Sequence, residues 1–353
     1  MIFLNNIFLS FIFILLYAAQ PITAAISEKV LICGVCRNVE KPLPFTIEIM
    51  EQIGALFDDY QILVYENNSV DRTPLLLNQW KESNPKVFVL SEQIAERELK
   101  EEIINSNHEG FYRPELIARA RNIVLDIAMS DACSEFTHLI WMDMDFKIPP
   151  AFEGIIETFE SQVEWDAVLA YGIDPPGTYW DWYAFRNDQY PIGSELLGNH
   201  WWYMPKHFQL KKSDAWYPVY SAFGGCGIYK KAAIKDCRYS AIVTEDLEIL
   251  ALELIQSGRV SHHPQIKKYD ELRGQALSLI CLPSPYPGMP QIKNPNTGII
   301  LFSSDSPLVW RMSSFVYQYP SVCEHVPFHA SMILRGHDKI FINPRLIFTY
   351  GGY

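Results

Sequence analysis

Short apolar runs alternate with helical stripes along the first half of this chain, and that alternation constrains the fold more than any other feature. "VLICGVC" (30–36), "YQILVYE" (60–66), "KVFVL" (86–90), "THLIWM" (137–142) and "DAVLAYG" (166–172) are short and nearly continuous in apolar residues. Such runs suit strands buried on both faces, as in a parallel sheet. Between them lie helical patterns. In "PFTIEIMEQIGALF" the residues Phe45, Ile49, Ile53 and Phe57 fall on one stripe, and "RPELIARARNIVLDIAM" carries Pro114 near its start. "PLLLNQW" and "AFEGIIETFE" complete the series. The order strand, helix, strand predicts an α/β fold, a doubly wound and mostly parallel sheet covered on both faces.

The pattern changes after Asp145. An aromatic stretch rich in Gly and Pro runs from Asp174 to Tyr217, and "VYSAFGGCGIYKKAAI" reads as a strand broken by paired glycines and followed by a helix start. "TEDLEILALELIQSG" predicts a helix with Leu247, Leu250 and Leu254 on one face, Thr244 as N-cap and Gly258 as its stop. Residues 261–320 are irregular, and "CEHVPFHASMILRGHDKIFINPRL" predicts a short helix and then a strand.

The N-terminus stands apart. "IFLNNIFLSFIFILLYAAQPITAA" has no Lys or Arg before Glu28-Lys29; its core from Ile7 to Ala19 fits a signal-peptide core, and "ITAA" offers small residues for cleavage. It also suits an uncleaved anchor, though slightly short of the ~20 residues a span needs. Residues 1–26 are therefore set aside as signal peptide or membrane anchor, and 27–353 are read as a single domain with halves 27–146 and 147–353.

Composition narrows the function. A net charge of -12 over 353 residues offers no basic stripe for nucleic acid. Nine Trp and nineteen Tyr fit sugar binding as well as ordinary packing. Seven scattered cysteines exclude a disulfide scaffold; Cys33-Gly-Val-Cys36 sits in an apolar strand with no second such pair, which favours buried thiols over zinc or redox chemistry. In an oxidising lumen one or two pairs could form, with one thiol left unpaired within the monomer.

The chemistry centres on "HLIWMDMD" (138–145), an apolar run that delivers two carboxylates at its end. Four polar clusters fall at strand ends or helix starts: Arg37-Asn38, Glu66 to Asp71, Asp143-x-Asp145 and Glu245-Asp246. In a parallel sheet such ends converge on one edge. Two carboxylates one residue apart at a turn can grip Mn²⁺ or Mg²⁺ that also bridges two phosphates of a nucleotide. Asp145 is the better ligand, with Asp143 reaching a ribose or the same metal. Glu245-Asp246 suits hydroxyl binding or general-base work, or simply complements a helix dipole.

Taken in order, "LVYENNSVDRT", "ARARN", "HLIWMDMDF", "AFGGCGIYKKAAI" and "TEDLEI" resemble the glycosyltransferases of GT-A fold, and more closely the fungal α-mannosyltransferases of the Golgi mannan type. "GIDPPGTYWDWYAFRND" and the tail from "SVCEHV" onward resemble the capsule-associated α-1,3-mannosyltransferases of fungi. The resemblance implies a nucleotide-sugar donor such as GDP-mannose, a glycan or glycoprotein acceptor, an irregular acceptor-side C-terminal half and a luminal place in the Golgi. By motif it implies that Glu66 contacts the nucleoside and that Arg37, Arg121 and Asn122 contact phosphate or ribose. Asp71, Gly224 and Gly225 would line the same site. His325 becomes a third metal ligand beside Asp143 and Asp145, with His262-His263 as competitors.

The likeness also divides. Thr244-Glu245-Asp246 reads like the motif of inverting enzymes, in which the aspartate is the base, whereas the mannosyltransferase likeness implies retention. A non-catalytic, lectin-like module using "YWDWYAF" and "HWWYMP" is the reading from another class. A nucleotidyltransferase would want a Gly-rich turn after the first strand, and "CGVCRNVEKP" lacks it.

Overall fold

One eight-stranded sheet organises the chain, and six of its strands run parallel. The computed structural model describes residues 26–95, 113–191, 208–258 and 322–350, with short pieces at 97–99, 106–107, 110–111, 292–293 and 300–302. The apolar N-terminal segment, "HWWYMP", His262-His263 and most of 261–320 lie outside the described residues. No helix among the described residues is long and apolar enough to cross a membrane.

The strands are β1 (Ile26–Cys36), β2 (Phe57–Asn67), β3 (Val87–Glu92), β4 (His138–Asp143), β5 (Ala167–Ile173), β6 (Tyr217–Pro218), β7 (Cys226–Lys230) and β8 (Ile340–Thr349). Their spatial order is β3-β2-β1-β4-β7-β5-β8-β6, with β7 and β6 antiparallel to their neighbours. The helices are α1 (Leu43–Gly54), α2 (Thr73–Ser83), α3 (Arg113–Ala128), α4 (Phe152–Glu160), α5 (Glu245–Gln256) and α6 (His325–Leu334). Thr244 caps α5, its hydroxyl accepting from the Leu247 N–H at 3.3 Å.

Side-chain alternation divides the sheet between two cores. Leu31, Cys33, Leu63, Tyr65, Leu139, Trp141 and Leu169 face α3, α5 and α6. The intervening Val30, Ile32, Ile62, Val64, Ile140, Met142 and Val168 face α1, α2 and α4. A period of two sends successive residues to opposite faces, so helices on both faces demand strands apolar throughout. The expected doubly wound sheet is what forms.

Two details depart from the sequence reading. Phe57, assigned to the helical stripe, begins β2, because α1 stops at Gly54 where a Cβ would lie 2.6 Å from the Tyr60 ring. The helix expected after the paired glycines is a single 3-10 turn, Lys231–Ile234. Six cysteines (33, 36, 133, 226, 237 and 323) are buried free thiols, which leaves no disulfide among the described residues.

Candidate active site

The strand order reverses beside β4: β1, β2 and β3 were laid to one side of it, and the later strands to the other. Ligands of open α/β sheets bind outside the carboxyl ends of the strands at such a switch point. "HLIWMD" ends there. Leu139 and Trp141 face α3, so the same period directs Asp143 towards α3 and α6.

Arg121 meets it from α3. With Ala118, Val124, Leu125 and Ala128 it lies on the buried stripe of that helix and is only 2 % exposed. A buried guanidinium requires carboxylates. Its Nη2 lies 3.4 Å from Asp143 Oδ1, and its Nε donates to Glu324 Oε1 at 3.2 Å. Three rings box its cationic carbon, at 4.8 Å (Phe223), 5.2 Å (Trp141) and 5.7 Å (Tyr239) from their centroids. Arg121 therefore stands behind Asp143 as its countercharge. The resemblance placed it on the nucleotide; at this burial it is an internal residue.

Asp143 keeps about a quarter of its side chain exposed, 26 %. Burial pushes its carboxyl up to about 7; Arg121 opposes the rise, while Asp145, Glu324 and Asp181 add to it. Its backbone N–H donates to Gly225 O at 3.0 Å. The paired glycines serve this contact. Gly224 and Gly225 adopt φ of +64° and +90°, and a Cβ on Gly224 would sit 2.3 Å from Ala170 O of β5. A Cβ on Gly225 would press on the Phe146 ring at 3.0 Å, 3.7 Å from Asp143 Oδ2. Backbone thus approaches where side chains have no room. Asp181 holds the bend by accepting from Gly224 N–H at 2.7 Å; burial lifts its carboxyl to about 6.

Asp145 lies past the strand end, where the Tyr350 hydroxyl donates to it at 3.4 Å. Tyr350 packs on Trp180 at 4.1 Å.

Glu66 and Asp71 belong to a second group at the ends of β1 and β2. Glu66 is 0 % exposed, accepting from Ser69 N–H at 2.8 Å and from the Ser91 hydroxyl. Asp71 accepts from Glu40 N–H at 3.1 Å and Thr73 N–H at 3.0 Å. Arg37 is exposed and donates to Asn68 O at 3.2 Å. These contacts knit the two loops together at the carboxyl ends of β1 and β2.

The remaining expected residues lie elsewhere. Asn122 spends its amide on the Tyr239 backbone, with both bonds at 2.9 Å. Glu245 is exposed, and Asp246 accepts from Arg335 at 2.9 Å. The Arg335 guanidinium also donates to Ser331 O, six residues along α6 from His325, a rise of roughly 9 Å. Asp246 is thus tied to α6 away from the Arg121 cluster.

His325 does not complete a metal site. It is 2 % exposed, stacked on Phe223 at 3.9 Å, and its Nε2 lies 3.5 Å from Glu324 Oε1. Burial, then Arg121 and His329, hold it well below the ordinary histidine value, so it is a neutral core residue. Among the described residues no three His, Cys, Asp or Glu side chains converge as metal ligands.

Sequence reasoning passed over Glu324 and Asp181. Both sit inside quoted motifs, next to His325 and among the aromatics of "YWDWYAF". A usable signal was Arg121 itself, since an arginine on an apolar helical stripe calls for a buried acid. Which acid answers it, 203 residues away, only the fold decides.

No protein-family model matches this chain, and no curated protein matches it. Solved structures show a distant likeness. Mannosyltransferase PcManGT from Pyrobaculum calidifontis, in complex with GDP-Man and Mn²⁺, is 13% identical with a TM-score of 0.36 over 75% of this chain and 66% of its own. S. aureus TarS 1-349 is 14% identical, TM-score 0.33, over 64% and 55%. Glucosyl-3-phosphoglycerate synthase from Mycobacterium tuberculosis, in complex with UDP, is 13% identical, TM-score 0.33, over 66% and 68%. The match to S. aureus TarS spans only about half of that chain. The α/β architecture stands on the sheet order itself.

Proposed function

We propose that this chain is a nucleotide-sugar glycosyltransferase that moves a hexose, mannose from GDP-mannose, to a glycan or glycoprotein acceptor with retention of configuration. One observation carries the reading: Asp143 and Asp145 stand at the end of β4, at the switch point of the sheet, beside the loops that end β1 and β2. Sequence motifs spread from Leu63 to Ile249 support the same class.

The donor set fits a hard divalent cation. Asp143 is crowded by Asp145, Glu324 and Asp181 against the guanidinium of Arg121, and added positive charge relieves that crowding. Asp143 and Asp145 would hold Mn²⁺ or Mg²⁺, with donor phosphates and water as further ligands. Bound there, the metal supplies charge neutralisation to the departing diphosphate. The chain's own residues orient the donor: the loops at Arg37–Glu40 and Glu66–Thr73 offer the nucleoside floor, and the Gly224-Gly225 backbone holds the Asp143 end of β4 in place.

Asp246, paired with Arg335, is engaged away from this cluster, which supports retention over an inverting mechanism with Asp246 as base. An apolar N-terminus before a fold of this class supports a luminal domain of the Golgi type, held by residues 1–26 or released after cleavage.

The test is thermal shift with Mn²⁺ and a panel of nucleotide-sugars. A donor at about 100 times its dissociation constant stabilises the fold by about 2.7 kcal/mol. GDP-mannose should give the largest shift, and Asp145→Ala should remove it while remaining folded. A panel without response, or an unchanged Asp145→Ala response, would overturn the reading.

A further inference from the structure

We propose that Glu324, acting through Arg121, is a positioning residue that keeps Asp143 turned towards the crevice and available to a divalent cation. The inference rests on the metal-dependent reading above and adds a residue that no motif singled out.

Arg121 is enclosed by Phe223, Trp141 and Tyr239, so its guanidinium has no route to solvent. Tyr239 is itself fixed, because the adjacent Asn122 clamps its backbone from both sides. Two carboxylates share this cation. Glu324 takes Nε at 3.2 Å; Asp143 has the longer contact, 3.4 Å to Nη2. Glu324 is buried, with Oε1 on Arg121 and Oε2 accepting from Cys323 Sγ at 3.7 Å, whereas Asp143 remains about a quarter exposed.

That asymmetry defines the role. A buried guanidinium stripped of a carboxylate is costly, so it seeks whatever carboxylate remains. Without the Glu324 charge, the carboxylate left on Arg121 among the described residues is Asp143. Arg121 would then draw Asp143 into a two-pronged pair, the geometry arginine favours with carboxylates, and away from an incoming metal. With Glu324 in place, Arg121 is already half satisfied, and Asp143 is steered without being consumed.

The experiment measures Mn²⁺ affinity directly, by electron paramagnetic resonance of free Mn²⁺, on the full chain without donor or acceptor. Asp145→Ala is the control for the site. Glu324→Gln keeps the shape and removes the charge; its Mn²⁺ affinity should fall about ten-fold, the scale on which outer residues tune metal sites. Glu324→Asp restores the charge and should recover most of the loss, which a purely structural role would not predict. Affinities are referred to the folded fraction, so lost stability does not imitate lost binding.

Should Glu324→Gln fail to fold, Arg121→Lys is read in the same way: one ammonium cannot span both carboxylates, and Mn²⁺ binding should weaken. Equal Mn²⁺ affinity, within two-fold, in whichever variant folds overturns the inference. If the unsubstituted protein binds no Mn²⁺, or Asp145→Ala binds it normally, the metal-site reading fails first. If the control behaves as expected and Glu324→Gln binds like the unsubstituted protein, only the role of Glu324 fails.

Discussion

The carboxylate of Asp181 accepts a 2.7 Å hydrogen bond from the backbone N–H of Gly224, and by doing so fixes the bend on which Asp143 rests. The next residue, Gly225, receives the Asp143 N–H on its carbonyl oxygen at 3.0 Å. A loop, a glycine pair and the end of β4 are thereby locked together, and each glycine has a separate reason to lack a side chain.

Gly224→Ala should therefore be severe. The new Cβ would meet Ala170 O at 2.3 Å and Gly172 N at 2.7 Å, both backbone atoms that cannot move aside, at a φ of +64°. A loss on the order of 3 kcal/mol or more is expected. Gly177→Ala is the matched comparison: φ is +88°, yet nothing lies within 4 Å, so only the left-handed backbone cost of about 1 kcal/mol applies. Urea unfolding of the two variants separates them. Similar losses at both positions would mean that the close approach of the bend to β5 is misplaced.

The pH dependence of stability should carry the signature of His329. This residue is 0 % exposed, with Nδ1 2.9 Å from the Ser221 hydroxyl and Nε2 3.0 Å from the Tyr229 hydroxyl. Burial pushes it down from 6.5 to about 3. The sign follows from proton counting. Below 6.5 the unfolded chain takes up a proton that the folded protein refuses, so this contribution is complete above 6.5 and is lost as pH falls towards 3. The slope approaches roughly 1.4 kcal/mol per pH unit for one such group. His329→Gln lacks this term, and the stability difference between the two proteins should shrink steadily as pH is lowered from 7 to 4. A difference that stays constant over that range would show that His329 titrates normally in the fold.

Asp246 should prove dispensable for the chemistry. Its ion pair with Arg335 is about one-third exposed on either side, 33 % and 40 %, and pairs of this kind contribute at most about 1 kcal/mol. Asp246→Asn is expected to lose no more stability than that and to keep donor hydrolysis within two-fold. General-base catalysis is worth roughly 10²–10⁴-fold. A fall of that size, together with a product of inverted anomeric configuration by NMR, would make Asp246 the base.

Much of the scaffold was legible before any coordinates. Strands buried on both faces read as apolar runs, so β1, β2, β4 and β5 declared themselves; β3 shows the same apolar run but is an edge strand with Phe88 exposed. Thr244 and Gly258 bounded α5 because helix ends need a cap and a stop. Where the reading slipped, the cause was packing. Phe57 continued a stripe of helical spacing, but the Tyr60 ring under Gly54 ends the helix first. The segment after the paired glycines has the local look of a helix start, yet its strand is wedged antiparallel between β4 and β5 and makes only one tight turn before leaving the sheet.

The candidate site divides along the same line. Local sequence determined the ends of strands and the types of side chain there: an apolar run that stops at Asp143, a glycine pair, an arginine on an otherwise apolar helix face. Tertiary structure alone decided which of these meet. Charge burial is costly enough that Arg121 must find partners, but the partners come from β4 and from a residue 203 positions away in sequence, and nothing local marks Glu324 as one of them. The same packing turned His325 against Phe223 and Asp246 towards Arg335. Periodicity acts over a few residues and shows in the chain itself, whereas the pairing of buried charges depends on how distant elements are stacked.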